Sequence, residues 1–406
     1  MYRGSNLILD VLSTCPEFRE FCSLFPEQTQ QTSLGHLPGS LSTIFGVALN
    51  KHLSNQVSVF VAPSPLEVLE IETDLDTIVG RDSFAVYPQR EQLPQIGGEP
   101  DHQITGMQIE ALETILTGRA RLLVTTIRAL QERAHIPDSL DNLRVTLRVG
   151  SDFGFSKLVE CLEERGFRKS SLVEEIGQYS VRGGVIDVFS FGTREPFRVE
   201  FDYNKISSIR FFDLLSQRSD TTIPEAQLLP VNFQGDTNKD SFVHRSLIEL
   251  LPSDTIMMNS VETPWGKAFR NSWETISMMN EQLSNEDIEN YTTEELMLQP
   301  AIAEKSIAEF PRINLRSQNN ISSGLVSEKP PVINRNMKAL LSFLNTTNKS
   351  QQKCIISCDN IDQLQRLEEI LGGPKSIPDS CQLMVGALSG GFSLPSTNPP
   401  LHVLTH

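Results

Sequence analysis

At 406 residues the chain is longer than one hydrophobic core usually organises, so two to four domains are expected. Hydrophobic residues make up 39% and charged residues 21%, and no apolar run approaches the roughly 20 residues of a membrane-spanning helix, which excludes a helical membrane protein. A formal net charge of -16 opposes long-range attraction to phosphate backbones and argues against DNA binding by this chain alone.

The N-terminal stretch MYRGSNLILDVLSTCPEF has an apolar run broken by Asp10 and no small-residue cleavage site, so a secretory signal is not expected and a cytoplasmic location is. Residues 1–141 alternate aliphatic runs, VSVFVAP at 57–63 and RLLVTTI at 121–127, with helical segments such as MQIEALETILTG, whose glycine suits a C-cap. This alternation predicts a parallel α/β layer. From 142 to 228 the pattern changes to one helix, FSKLVECLEERG, and three period-two runs, QYSVRGGVIDVF, EPFRVEFD and ISSIRFFD, which predict a small inserted α+β domain with an antiparallel meander. Residues 229–315 return to helix and strand, with an acidic run from Glu281 to Glu309 expected as a solvated helical face or linker. The run at 316–332, rich in Ser, Asn, Gly and Pro, reads as a linker, and 333–406 as a further small α/β unit ending abruptly on a strand, as a piece of a longer protein would. The six cysteines lack CxxC spacing, and buried reduced thiols are expected, including Cys354 and Cys358.

A hairpin turning symmetrically about Thr193 puts Val181, Val185, Phe189, Phe197, Val199, Phe201 and Tyr203 on a core face. The opposite face then carries Arg182, Arg198, Glu200 and Asp202 with the small Gly184. An exposed arginine pair on a rigid sheet suits a carboxylate surface, but spacing alone favours cross-strand ion pairs without function.

The stretch 174–219 has the skeleton G-x-[YF]-x-V-R-G-G-x-[IL]-D-[IV]-F, then P-x-R-[IV]-E-F, I-x-S-I-R and F-D-x-x-[ST]-Q-R-S. It closely resembles the second domain of the excinuclease protein UvrB and of the bacterial transcription-repair coupling factors (Mfd). FAVYPQREQLP, RLLVTTIRAL and LSGGFSLPSTNPPLHVLTH follow in the order expected for the coupling factors. The resemblance implies that Arg182 and Arg198, with Gly183, Gly184, Asp202 and Tyr203, dock UvrA. Relatives place an aromatic where this chain has Asp202, with Tyr203 alongside.

The resemblance also implies a helicase-like nucleotide-binding fold for the first domain, and here its site looks degenerate. A P-loop requires GxxxxGK[ST]. The corresponding place holds Gly35, His36, Leu37, Pro38, Gly39, Ser40, Leu41 and Ser42, with Leu41 or Ser42 at the lysine position. The strand expected to end in an Asp-Glu pair reads TIMMNSVE, with Asn259 and Ser260 there. Without a phosphate lysine and a magnesium carboxylate, no cofactor, metal or catalytic residue is expected in this chain. The segment YPQREQLPQIGGEPDHQITG, with Tyr87 its only aromatic, lacks the aromatic DNA-inserting hairpin of UvrB. By resemblance, the parent protein is an ATP-driven DNA translocase acting on stalled RNA polymerase through domains beyond this chain, its docking face masked at rest by its own C-terminal domain. Two rivals stand beside this reading: an active nucleotide-dependent DNA-damage handler of the UvrB type, and a structural or autoinhibitory region.

Overall fold

A computed structural model describes residues 3–405 apart from 26–30, 34–36, 54–55, 94–100, 138–142, 194, 232–241, 261–262, 285–290, 316–324 and 334–335. The chain opens with α1 (Arg3–Thr14), α2 (Pro16–Leu24), β1 (Gln31–Ser33), α3 (Leu41–Leu53), β2 (Ser58–Ala62), α4 (Pro65–Val79), β3 (Phe84–Tyr87), α5 (His102–Leu116), β4 (Leu122–Thr126), α6 (Ile127–Gln131) and β5 (Arg133–Pro137). It continues through β6 (Val145–Arg148), α7 (Phe155–Glu164), β7 (Arg168–Lys169), β8 (Gln178–Arg182), β9 (Val185–Val188), β10 (Phe197–Asp202), β11 (Lys205–Phe212), β12 (Ser219–Thr222) and β13 (Glu225–Leu228). Then come β14 (Phe242–Ser246), α8 (Leu247–Leu250), β15 (Ile256–Asn259), α9 (Trp265–Ser284), α10 (Thr293–Leu296), α11 (Pro300–Ile307) and β16 (Arg312–Asn314). The last elements are α12 (Met337–Lys349), β17 (Lys353–Cys358), α13 (Ile361–Ile370), β18 (Cys381–Val385), β19 (Phe392–Leu394) and β20 (Leu401–Thr405).

A parallel six-stranded sheet in the order β1-β16-β15-β2-β4-β3 forms the first layer, built from strands on both sides of the α7–β13 region. Its inner strands β2, β4 and β15 are largely apolar runs because both faces are covered. Phe60, Val124 and Met258 point to one core, and Val59, Val61, Leu123 and Met257 to the other. Helix starts follow local chemistry: the Ser64 side chain caps α4 ahead of Pro65, Asp101 caps α5, and Thr292 with Glu295 forms a capping box on α10. Gly118, just past α5, takes the left-handed conformation expected of a C-terminal glycine. The acidic stretch falls on α9, α10 and α11, with 285–290 outside the described residues.

A second six-stranded sheet has the order β12-β11-β10-β9-β8-β7 and is antiparallel except between β7 and β8. One face packs Tyr179, Ile186, Val188, Phe197, Val199 and Ile209 against Leu158 and Leu162 of α7. This corrects the expected core face. QYSVRGGVIDVF is not one strand but a hairpin, β8–β9, turning at Gly183-Gly184 and pairing Val181 with Ile186. The extra turn inverts the parity of β9, so Ile186 and Val188 face the core where Val185 and Phe189 were expected. Phe189 joins Val173 and Phe212 in a separate cluster. Tyr203 also leaves the core face, because it sits in the β10–β11 turn. Arg144 of this region donates to Glu113 of α5 through both Nε and Nη2 at 2.7 Å, and the Phe191 ring fills the space left by Gly106 on that helix.

The C-terminal strands form a four-stranded sheet, β18-β17-β20-β19, with Cys354, Ile356 and Leu404 facing Leu340 and Leu367 of α12 and α13. Its other face, with Ile355, Phe392, Leu394 and Val403, shares one core with Ile8, Leu12, Phe18 and Phe45 of the first helices. Of the expected linker, 316–324 lie outside the described residues, whereas Leu325 is buried in that shared core and Glu328 pairs with Ser393. All six cysteines are buried and free.

Candidate docking face and strand-to-helix turn

The face of the second sheet opposite α7 is built around Asp187, a residue that reading the run as one strand had placed with the core-facing parity. Ser180 and Arg198 lie directly across from it on the two neighbouring strands. The Arg198 guanidinium donates to both carboxylate oxygens of Asp187, Nε to Oδ1 at 2.6 Å and Nη2 to Oδ2 at 3.0 Å, and Nη1 donates to Ser219 Oγ at 3.1 Å. The same guanidinium lies 5.0 Å above the Phe212 ring. Those hydrogen bonds to Asp187 raise the Arg198 pKa against the opposing pull of burial. Arg182 reaches Asp187 from the end of β8 through Nη2. The expected exposed arginine pair is therefore half right. Arg198 has a side chain only 17% exposed, with three of its nitrogens committed to Asp187 and Ser219, whereas Arg182 is 46% exposed, and both converge on a carboxylate that is 1% exposed. A guanidinium carries five donors, so Arg182 can hold Asp187 and still face a partner carboxylate.

Gly183 and Gly184 make the two-residue turn that delivers Arg182. Gly183 has φ +61°, and an added Cβ at either glycine meets open space, so the turn requires backbone freedom there rather than room. The face extends through Glu200 and Arg210, whose side chains pair at 3.1 Å. Arg210 stands across from Arg198 in register; its place in I-x-S-I-R was the available signal, and it was not singled out. Asp202 is exposed at the end of β10 opposite Lys205. Tyr203 occupies the turn with φ +55° and is 94% exposed. The tip is pinned from behind, with Asn204 accepting from the Gly154 amide at 2.9 Å and Ile206 donating to the Ser151 carbonyl at 3.1 Å.

Of the nominal nucleotide residues, Asn259 and Ser260 lie at the carboxyl edge of the parallel sheet, the edge where open α/β sheets bind ligands. Ser33, at the end of β1, and Asn259, at the end of β15, both pair with Asn314 between them. Gly35 lies outside the described residues. Leu41 and Ser42 are buried, Leu41 in the core shared with the C-terminal sheet. Ser260 donates through its amide and its hydroxyl to the Val61 carbonyl. Among the described residues no group of acidic, histidine or cysteine side chains is placed to hold a metal. None of their helices is long and apolar enough to cross a membrane.

Residues 145–233 match the family model of the UvrB interaction domain, a span that contains the second sheet and α7. The chain is similar to the transcription-repair-coupling factor of Staphylococcus aureus strain MSSA476, 29% identical over 175 residues that make up 43% of this chain and 15% of that protein. It is also similar to the transcription-repair-coupling factor of Staphylococcus haemolyticus, 25% identical over 223 residues, 55% of this chain and 19% of that protein. The matched region thus spans less than a fifth of the length of either relative.

Proposed function

We propose that this chain, which carries a UvrB interaction domain and resembles the transcription-repair-coupling factors, is a non-catalytic docking part of such a factor that recruits UvrA in transcription-coupled excision repair. The observation that carries the reading is the Arg182–Asp187–Arg198 constellation on a rigid sheet within the matched domain. Asp187 holds Arg182 at the rim of the face, where its remaining donors are oriented toward a carboxylate of the partner. The parent protein, in this reading, is a cytoplasmic ATP-driven translocase that meets RNA polymerase and DNA through other domains, and its C-terminal domain covers this face at rest. The turn at 35–42 handles no nucleotide, since neither a phosphate lysine nor a magnesium carboxylate stands at the positions that would need them.

Capture of UvrA by the full chain tests the reading. Arg182→Ala is expected to lower capture by tenfold or more, about the weight of an interfacial charged anchor, with an unchanged circular dichroism spectrum. Undiminished capture would place the docking face elsewhere, and no capture by the unaltered chain would favour a structural or autoinhibitory region. Calorimetric titration with Mg-ATP is expected to be flat; micromolar binding would restore the UvrB-type enzyme reading.

A further inference from the structure

The Gly39-Ser40 turn at the start of α3 is already filled, by the chain itself. The loop between β18 and β19 reaches back some 350 residues, and the Gly390 carbonyl accepts both the backbone amide of Ser40 at 3.0 Å and the Ser40 hydroxyl at 2.7 Å. Those are the kinds of donors that a glycine-rich turn at a helix start offers to a phosphate oxygen. The approach is backbone to backbone: a Cβ on Gly39 would lie 2.5 Å from the Gly390 carbonyl, and one on Gly390 would lie 2.9 Å from the Gly39 Cα. Three further bonds flank it on α4. Ser389 donates through its amide and hydroxyl to the two Asp74 carboxylate oxygens at 2.7 and 2.8 Å, and Thr77 Oγ1 donates to the Ala387 carbonyl at 2.5 Å. Gly386 lies so close to Thr77 that an added Cβ would sit 2.5 Å from its Cγ2.

We propose that the loop 386–391 is the resident ligand of this turn, its Gly390 carbonyl standing where a phosphate oxygen would be held, so that the C-terminal unit both closes the turn to anions and is locked onto the first unit through it. This role is independent of UvrA docking. Exclusion of nucleotide becomes steric as well as chemical, and the C-terminal unit acts as an intramolecular plug.

Hydrogen exchange on the full chain, read at Ser40 with the β2 and β4 amides as internal reference, provides the test. In the unaltered chain the Ser40 amide is expected to be protected. Gly390→Ala forces the two backbones apart and is expected to speed Ser40 exchange by about tenfold or more while β2 and β4 stay protected. Ser389→Ala deletes one bond to Asp74 without crowding the turn and is expected to speed it by a few-fold, which keeps the test available if Gly390→Ala fails to fold. Millimolar inorganic pyrophosphate is expected to leave Ser40 exchange and the melting temperature of the unaltered chain unchanged. Free exchange at Ser40 in the unaltered chain, indifference of Ser40 to both substitutions, or protection gained on adding pyrophosphate would each overturn the proposal.

Discussion

Arg182 and Arg198 share a residue type, a sheet face and a partner, yet their environments assign them different work. Truncating Arg198 removes the bidentate partner of a carboxylate that is 1% exposed and uncovers the Phe212 ring beneath. Breaking a buried pair from one side costs about 3–5 kcal/mol, so Arg198→Ala is expected to lower the midpoint of urea unfolding markedly. Arg182→Ala, at a side chain nearly half exposed, is expected to cost under about 1 kcal/mol. Equal losses for the two would show that Asp187 draws no distinct support from Arg198. A double substitution therefore confounds docking with folding, and Arg182 alone is the clean probe. Asp202 calls for a different comparison. Asp202→Phe is expected to weaken binding to a UvrA that presents a basic group there and to tighten binding to one adapted to an aromatic, with dissociation rates deciding between them.

At the scale of the element, the β8–β9 and β10–β11 turns of the second sheet solve the same problem with different residues. The β8–β9 turn uses Gly183 at φ +61°, which costs a glycine little, whereas the β10–β11 turn holds Tyr203 at φ +55°. A residue with a Cβ gives up roughly 1 kcal/mol or more in that region, and Tyr203, 94% exposed, regains little of it by packing. Tyr203→Gly is expected to stabilise the fold by about 0.5–1 kcal/mol in urea unfolding. If Tyr203 is an anchor for UvrA, the same change slows nothing in folding but weakens capture; a destabilised variant would mean that the ring supports the hairpin itself.

Across the whole molecule, the first and C-terminal units share a core and a buried carboxylate. Asp74 is lifted from 3.8 to about 6, first by burial, against hydrogen bonds from Ser389 and Thr43 that favour its charged form. Between roughly pH 4 and 6 the native state then holds a proton that the unfolded chain has released, so this group's contribution to stability falls as pH rises through that window and is level above it. The full swing is about 3 kcal/mol. Comparing unfolding free energies at pH 4.5 and 7.5 for the unaltered chain and Asp74→Asn isolates it: the substitution is expected to flatten the pH dependence, and identical slopes would show that Asp74 titrates normally.

Local sequence by itself determined the chemistry of the layers. Largely apolar runs such as VSVFVA announced a parallel α/β layer, alternation in FRVEFD announced a half-exposed strand, and the V-R-G-G-x-[IL]-D skeleton marked the region that matches the UvrB interaction domain, because each of these patterns is written within a few residues of backbone period. Only the tertiary structure decided the rest. A turn at Gly183-Gly184 reverses which residues of β9 face inward, and with period two a single inversion moves Asp187 from the core to the centre of the arginine face. The contacts of Ser40 with Gly390 and of Asp74 with Ser389 join positions 350 and 315 residues apart, and neither end carries a local periodicity that names the other. Such pairs form when the shared core brings the C-terminal sheet against the first helices, since it is packing of the whole chain, and no nearby residue, that puts a backbone carbonyl at the start of α3.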